Sequence, residues 1–160
     1  MGESMRRLLC LNAICFLTAV AYGAQANSRF ARKFQMPGSS EVVVVAEGDF
    51  EPRSVGSYAV TVYGGRSKKF PTDDFVTGIV RPRKGTVENV RFEDVDGDGK
   101  RDIIVIIRSA GSGGFLSADA FRYRPGSLEA IATVANLDKN TDPVQALRAK
   151  MHSLSREEGK

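Results

Sequence analysis

The sequence predicts an all-β fold, an antiparallel β-sandwich or barrel of about seven to eight strands with one short C-terminal helix. Three observations carry this. Unbroken β-branched runs occur at Val42–Val45 and Ile103–Ile107, too short for helices and rich in residues stiff at χ1. Residues Val87–Glu93 alternate apolar and polar, with Val90 and Phe92 on one face and Arg91 and Glu93 on the other, as a half-solvated strand requires. Gly and Pro punctuate the chain at short intervals, and only one late segment carries helix-start signals.

The elements follow in order. Residues 41–46 hold the four-valine run, which suits a strand buried on both faces. Residues 57–63 form a second strand broken by Gly64-Gly65, and residues 75–80 a third that ends before Pro82. The alternating segment 87–93 is the fourth. Residues 102–108 contain Ile103-Ile104-Val105-Ile106-Ile107 and read as a central strand. Residues 115–124 stop at the turn pair Pro125-Gly126, and residues 128–135 complete the set. Near the end Asp142 is placed to cap a helix, Pro143 fits its first turn and Gln145 has capping-box spacing. Val144, Leu147 and Met151 would share one face of that helix and lay it on the sheet.

The first 26 residues read as a secretory signal. Arg6 and Arg7 form a basic start, an apolar stretch runs from Leu8 to Tyr22, and Ala24-Gln25-Ala26 is a cleavage site. The stretch is shorter than the ~20 apolar residues of a membrane span, so no membrane association is expected after cleavage. Cys10 and Cys15 both lie inside it, without a lipobox, and the mature chain from Asn27 has no cysteine. The organisation expected is a signal peptide at 1–26, an N-terminal arm at 27–40, a β-domain at 41–152 and a flexible tail at 153–160. Such a chain points to a bacterial periplasm. Losing Glu3, Arg6 and Arg7 removes one unit from the formal charge of +4, leaving a weakly basic surface that does not argue for nucleic acid. The sequence leaves a homodimer open.

Two segments carry candidate chemistry. The first is Asp94-Val95-Asp96-Gly97-Asp98-Gly99-Lys100-Arg101-Asp102. Carboxylates at Asp94, Asp96, Asp98 and Asp102 around a Gly turn match part of a calcium loop. An EF-hand needs a Glu at its twelfth position, where this chain has Val105 within a strand. The structural alternative is a tight Asp/Gly turn. The second segment is Ser109-Ala110-Gly111-Ser112-Gly113-Gly114, followed by Phe115. Its glycines let backbone approach a partner, and its hydroxyls can meet a carboxylate. A phosphate cradle would need a following helix and a Lys, and neither is expected here. The strand at 102–108, at ~3.3 Å per residue, sets the two segments at opposite ends of the sheet.

An enzyme is not expected. The one His, His152, lies near the C-terminus, far from any triad or zinc cluster, and there is no Trp to stack a sugar. No cofactor is called for, and no metal is assigned. The stretch from Asp94 to Phe121, with its Asp/Gly turn, hydrophobic strand and Arg108-Ser109-Ala110-Gly111-Ser112-Gly113-Gly114-Phe115-Leu116-Ser117-Ala118, resembles the periplasmic inhibitors of invertebrate-type (I-type) lysozyme. That resemblance implies a β-sandwich that plugs a lysozyme cleft with a protruding loop. Carried onto this chain, the partner-binding loop is Ser109, Ala110, Gly111, Ser112, Gly113 and Gly114 with Phe115 at its root. The family tends to carry Tyr where this chain has Phe115, which removes one hydroxyl. The alternative function is a calcium-binding β-module for adhesion or ligand binding.

Overall fold

The computed structural model describes residues 29–158. The signal assigned to residues 1–26 lies outside the described residues. The strands are β1 Ala31–Gln35, β2 Val42–Glu47, β3 Gly56–Tyr63, β4 Phe75–Arg83, β5 Thr86–Glu93, β6 Asp102–Arg108, β7 Leu116–Arg124 and β8 Ser127–Leu137, followed by α1 Pro143–Glu158. They pair antiparallel in sequence order as two four-stranded sheets, β1-β2-β3-β4 and β5-β6-β7-β8. The chain changes sheet once, at the short turn between β4 and β5.

The two sheets face each other across one core. Val43 and Val45 of β2, Tyr58, Val60 and Val62 of β3, Val87 and Val90 of β5, Ile103, Val105 and Ile107 of β6, and Phe121 of β7 fill it. A second apolar layer lies on the opposite face of β6–β8, where Val144 and Leu147 of α1 cover Ile104, Ile106, Ala118, Ala120 and Ala132. The unbroken apolar run of β6 follows from this: alternate residues point into the sandwich and under the helix, so both faces are buried. The valines of β2 have no covering helix, and Val44 is only half-buried. Polar links tie the sheets together. The Tyr58 hydroxyl donates to Asp119 within the sandwich, and Glu47 Oε1 accepts the Val87 N–H at 2.6 Å. Burial, reinforced by the Asp119 charge, pushes the Tyr58 hydroxyl well above the ordinary phenol range, so it stays protonated as a donor.

Three expectations need correction. Residues 31–35 are not a free arm but an edge strand. Only Phe34 turns towards the core, so the segment is polar and basic like a loop. Pro82 does not end the third strand, because β4 is an edge strand and a missing N–H costs nothing there; Pro82 pairs in register with Ser57. The tail at 153–160 is helical as far as Glu158, since α1 runs sixteen residues. Asp142 Oδ1 caps it, accepting the Val144 N–H at 3.0 Å.

Candidate functional site

The Ser/Gly segment joins β6 to β7 at one end of the sandwich. The antiparallel register runs out at Arg108 and Leu116, and the Ser109 N–H donates to Phe115 O at 2.9 Å to close the base of the loop. Inside it the Gly111 N–H donates to Ser109 Oγ at 3.2 Å and the Gly114 N–H to Gly111 O at 3.3 Å. Ala110, Gly111, Ser112 and Gly113 are exposed. Phe115, expected to open the following strand, instead precedes it and is 47% exposed. Its ring lies over the backbone of Gly113, where a β-carbon would collide with it. A side chain at position 113 would push the half-exposed ring aside, so the glycine sets where Phe115 rests.

The loop is fastened from below by a residue pair that periodicity hides. Arg108 Nη1 donates to Gly114 O at 2.9 Å, while Nε and Nη2 grip both carboxylate oxygens of Glu88. Glu88 hydrogen bonding holds the Arg108 pKa above its ordinary value. Glu88 is free to do this because it sits in a β-bulge: the register of β5 on β6 jumps between Val87 and Asn89. The alternation expected over 87–93 thus holds only from Val90 onward: Glu88 and Asn89 stand together between two buried valines, a break that marks the bulge but not its partner Arg108.

The acidic turn lies at the other end, between β5 and β6, as the strand length predicted. Carboxylate oxygens of Asp94, Asp96 and Asp102 come within 4.8 Å of one another. Each has an internal partner. Asp94 accepts the Gly97 N–H at 2.7 Å and the Gly99 N–H at 2.9 Å, and Asp102 accepts the Val95 N–H at 3.1 Å. Asp96 is gripped by the Arg122 guanidinium, and Arg124 approaches Asp98 at 3.9 Å. Burial opposes the Asp96 charge, but the Arg122 and Asp98 hydrogen bonds outweigh it and hold its pKa below the ordinary carboxylate value. The donor set fits calcium in ligand type. Arg122 nevertheless already supplies a positive charge to Asp96, and this favours a structural turn.

A family profile described as the periplasmic lysozyme inhibitor of I-type lysozyme matches residues 28–151. The crystal structure of the periplasmic inhibitor of I-type lysozyme from Aeromonas hydrophila is similar to this chain, with 43% identity and a TM-score of 0.69, covering 74% of this chain and 98% of that one. The Aeromonas hydrophila inhibitor solved in complex with Meretrix lusoria lysozyme is similar too, with 44% identity and a TM-score of 0.69, covering 74% of this chain and 95% of that one. No curated protein matches.

Proposed function

Because the chain belongs to the family of periplasmic inhibitors of I-type lysozyme, we propose that it blocks such a lysozyme by seating the Ser109–Phe115 loop in the catalytic cleft. The observation that carries this reading is the loop itself. It is closed at its base, clamped by Arg108, exposed along Ala110–Gly113, and flanked by a half-exposed aromatic ring.

The chemistry is that of occupancy. A lysozyme cleft presents two carboxyl groups, one a proton donor and one ionised, either side of the scissile bond. The exposed Ser112 hydroxyl is suited to donate to the ionised carboxylate or accept from the protonated one. Ser109 is less free, since its oxygen already accepts the Gly111 N–H. Phe115 supplies apolar area beside the hydroxyl. The clamp restricts the loop before binding, so less conformational entropy is lost on association. The inhibitor makes and breaks no covalent bond, and its family is one of inhibitors, not enzymes.

Purified mature protein should abolish the muramidase activity of an I-type lysozyme at a one-to-one ratio and leave an unrelated glycosidase untouched. Ser112→Ala and Phe115→Ala should each weaken inhibition, by about 1–3 kcal/mol in binding free energy if each acts as an anchor. Full activity of both variants would move the contact to another surface.

A further inference from the structure

Phe50 is fully exposed, at 104% of its reference area. It lies in the loop between β2 and β3 with φ of 64°, a left-handed conformation that disfavours any residue with a β-carbon. A ring in water on a strained backbone persists only where its neighbours over-determine it.

They do so here. The Gly48 N–H donates to Ser57 O at 3.1 Å. The Glu51 carboxylate accepts the Ser57 N–H at 2.6 Å and its hydroxyl at 2.7 Å. Arg83, 1% exposed, donates to Arg53 O at 2.8 Å and Pro52 O at 3.3 Å, and also to Gly85 O. The loop is thus fixed on both sides of Phe50, and Val55, 59% exposed, stands on the same loop. Its position matters as much as its rigidity. Gly85, in the turn between β4 and β5, donates to Ser54 O at 2.9 Å. On its other side Gly85 lies against Arg108 O and the Ser109 α-carbon, so closely that a β-carbon would not fit. The Phe50 loop and the Ser/Gly loop therefore flank one turn at one end of the molecule.

We propose that Phe50 is a second anchor for the same lysozyme, packing on an apolar or aromatic surface at the rim of the cleft that receives the Ser/Gly loop. This rests on the function proposed above and adds a specificity element to it. A rigid aromatic held out in advance is the kind of residue that dominates binding energy, because little freedom is lost when it docks. The partner follows from continuity: Phe50, Val55 and Phe115 are the large exposed hydrophobic side chains of the two loops, and both loops touch Gly85, so the two lie on one end of the molecule for a single body to cover.

The test is Phe50→Gly, which removes the ring and suits the left-handed backbone, so the fold is retained. Titration calorimetry against an I-type lysozyme should show about tenfold weaker binding or more, with a melting temperature equal to or above that of the unsubstituted protein. Phe50→Tyr should keep most of the affinity. Binding by Phe50→Gly within about twofold of the unsubstituted protein, while Phe115→Ala binds weakly, would overturn the second anchor alone. So would a concentration-dependent dimer lost on Phe50→Gly with lysozyme affinity intact, which would assign Phe50 to a second copy of the chain. Absence of any binding by the unsubstituted protein would overturn both readings together.

Discussion

Single residues in the Ser/Gly loop divide into those offered to a partner and those that hold the offer in place. Ser112 and Phe115 face outward, whereas Arg108, Glu88 and Gly113 set where those groups stand. Arg108→Ala leaves Gly114 O without its side-chain donor and Glu88 without a partner. Both ends of the ion pair are exposed enough that stability should change little. The loop should lose order instead. Hydrogen exchange at 110–114 should speed up, and lysozyme affinity should fall about tenfold through a larger entropic cost of binding. Glu88→Gln should do the same more weakly, and the two effects should not add, because the residues act through one clamp. Phe115→Tyr returns the hydroxyl that the resemblance places at this position. If the cleft offers a partner, one neutral hydrogen bond is worth about 1 kcal/mol, and inhibition should tighten about fivefold.

Elements respond differently, and the β5–β6 turn shows this best through Asp102. Burial pushes this carboxyl up to about 6, with the Asp96 and Asp98 charges adding to the shift and the Val95 N–H opposing it. The folded state therefore holds the proton more tightly than the unfolded chain, whose Asp titrates near 3.9. Asp102 favours folding most at pH below that unfolded value, and its contribution is lost as pH rises through 4 to 6, by up to about 3 kcal/mol. Asp102→Asn can still accept the Val95 N–H. The stability difference between it and the unsubstituted protein should therefore shift in favour of the variant over this window, read from denaturant melts at several pH values. The helix makes a simpler case: Leu147 is fully buried against β6–β8, and Leu147→Ala should cost about 2–5 kcal/mol in the same melts. The elements also show what the chain makes legible. β6 could be read because its run is apolar on both faces, and α1 because Asp142 and Pro143 mark its start. β1 could not, because an edge strand with one inward residue has the composition of a loop. The candidate loop was legible as Ser and Gly, but its clamp was not. A bulge inverts the alternation at Glu88, and its partner Arg108 lies twenty residues away.

At the scale of the whole molecule the fold separates two ends. The turn holding the Asp cluster and the end holding the Ser/Gly loop are joined by β6, a span of ~20 Å, paired with β5 along all seven residues and with β7 from Ile103 to Arg108. A strand held in register by two neighbours and buried on both faces offers no second arrangement for a change at one end to select. Stability and inhibition should then be separable. Asp96→Asn removes the carboxylate that Arg122 grips, leaving a partly buried guanidinium short of its partner. That should cost about 1–3 kcal/mol and lower the melting temperature by several degrees. Calcium, if it bound, would move the melting temperature through the same turn, and its addition or chelation should leave inhibition alone. Below the melting transition, lysozyme affinity of Asp96→Asn should stay within about twofold of the unsubstituted protein. A substitution at Phe115 should show the reverse, weak binding at an unchanged melting temperature. Loss of inhibition by folded Asp96→Asn would mean that the acidic turn touches the lysozyme or that the sandwich transmits the change, and either would end the picture of one functional end on a passive scaffold.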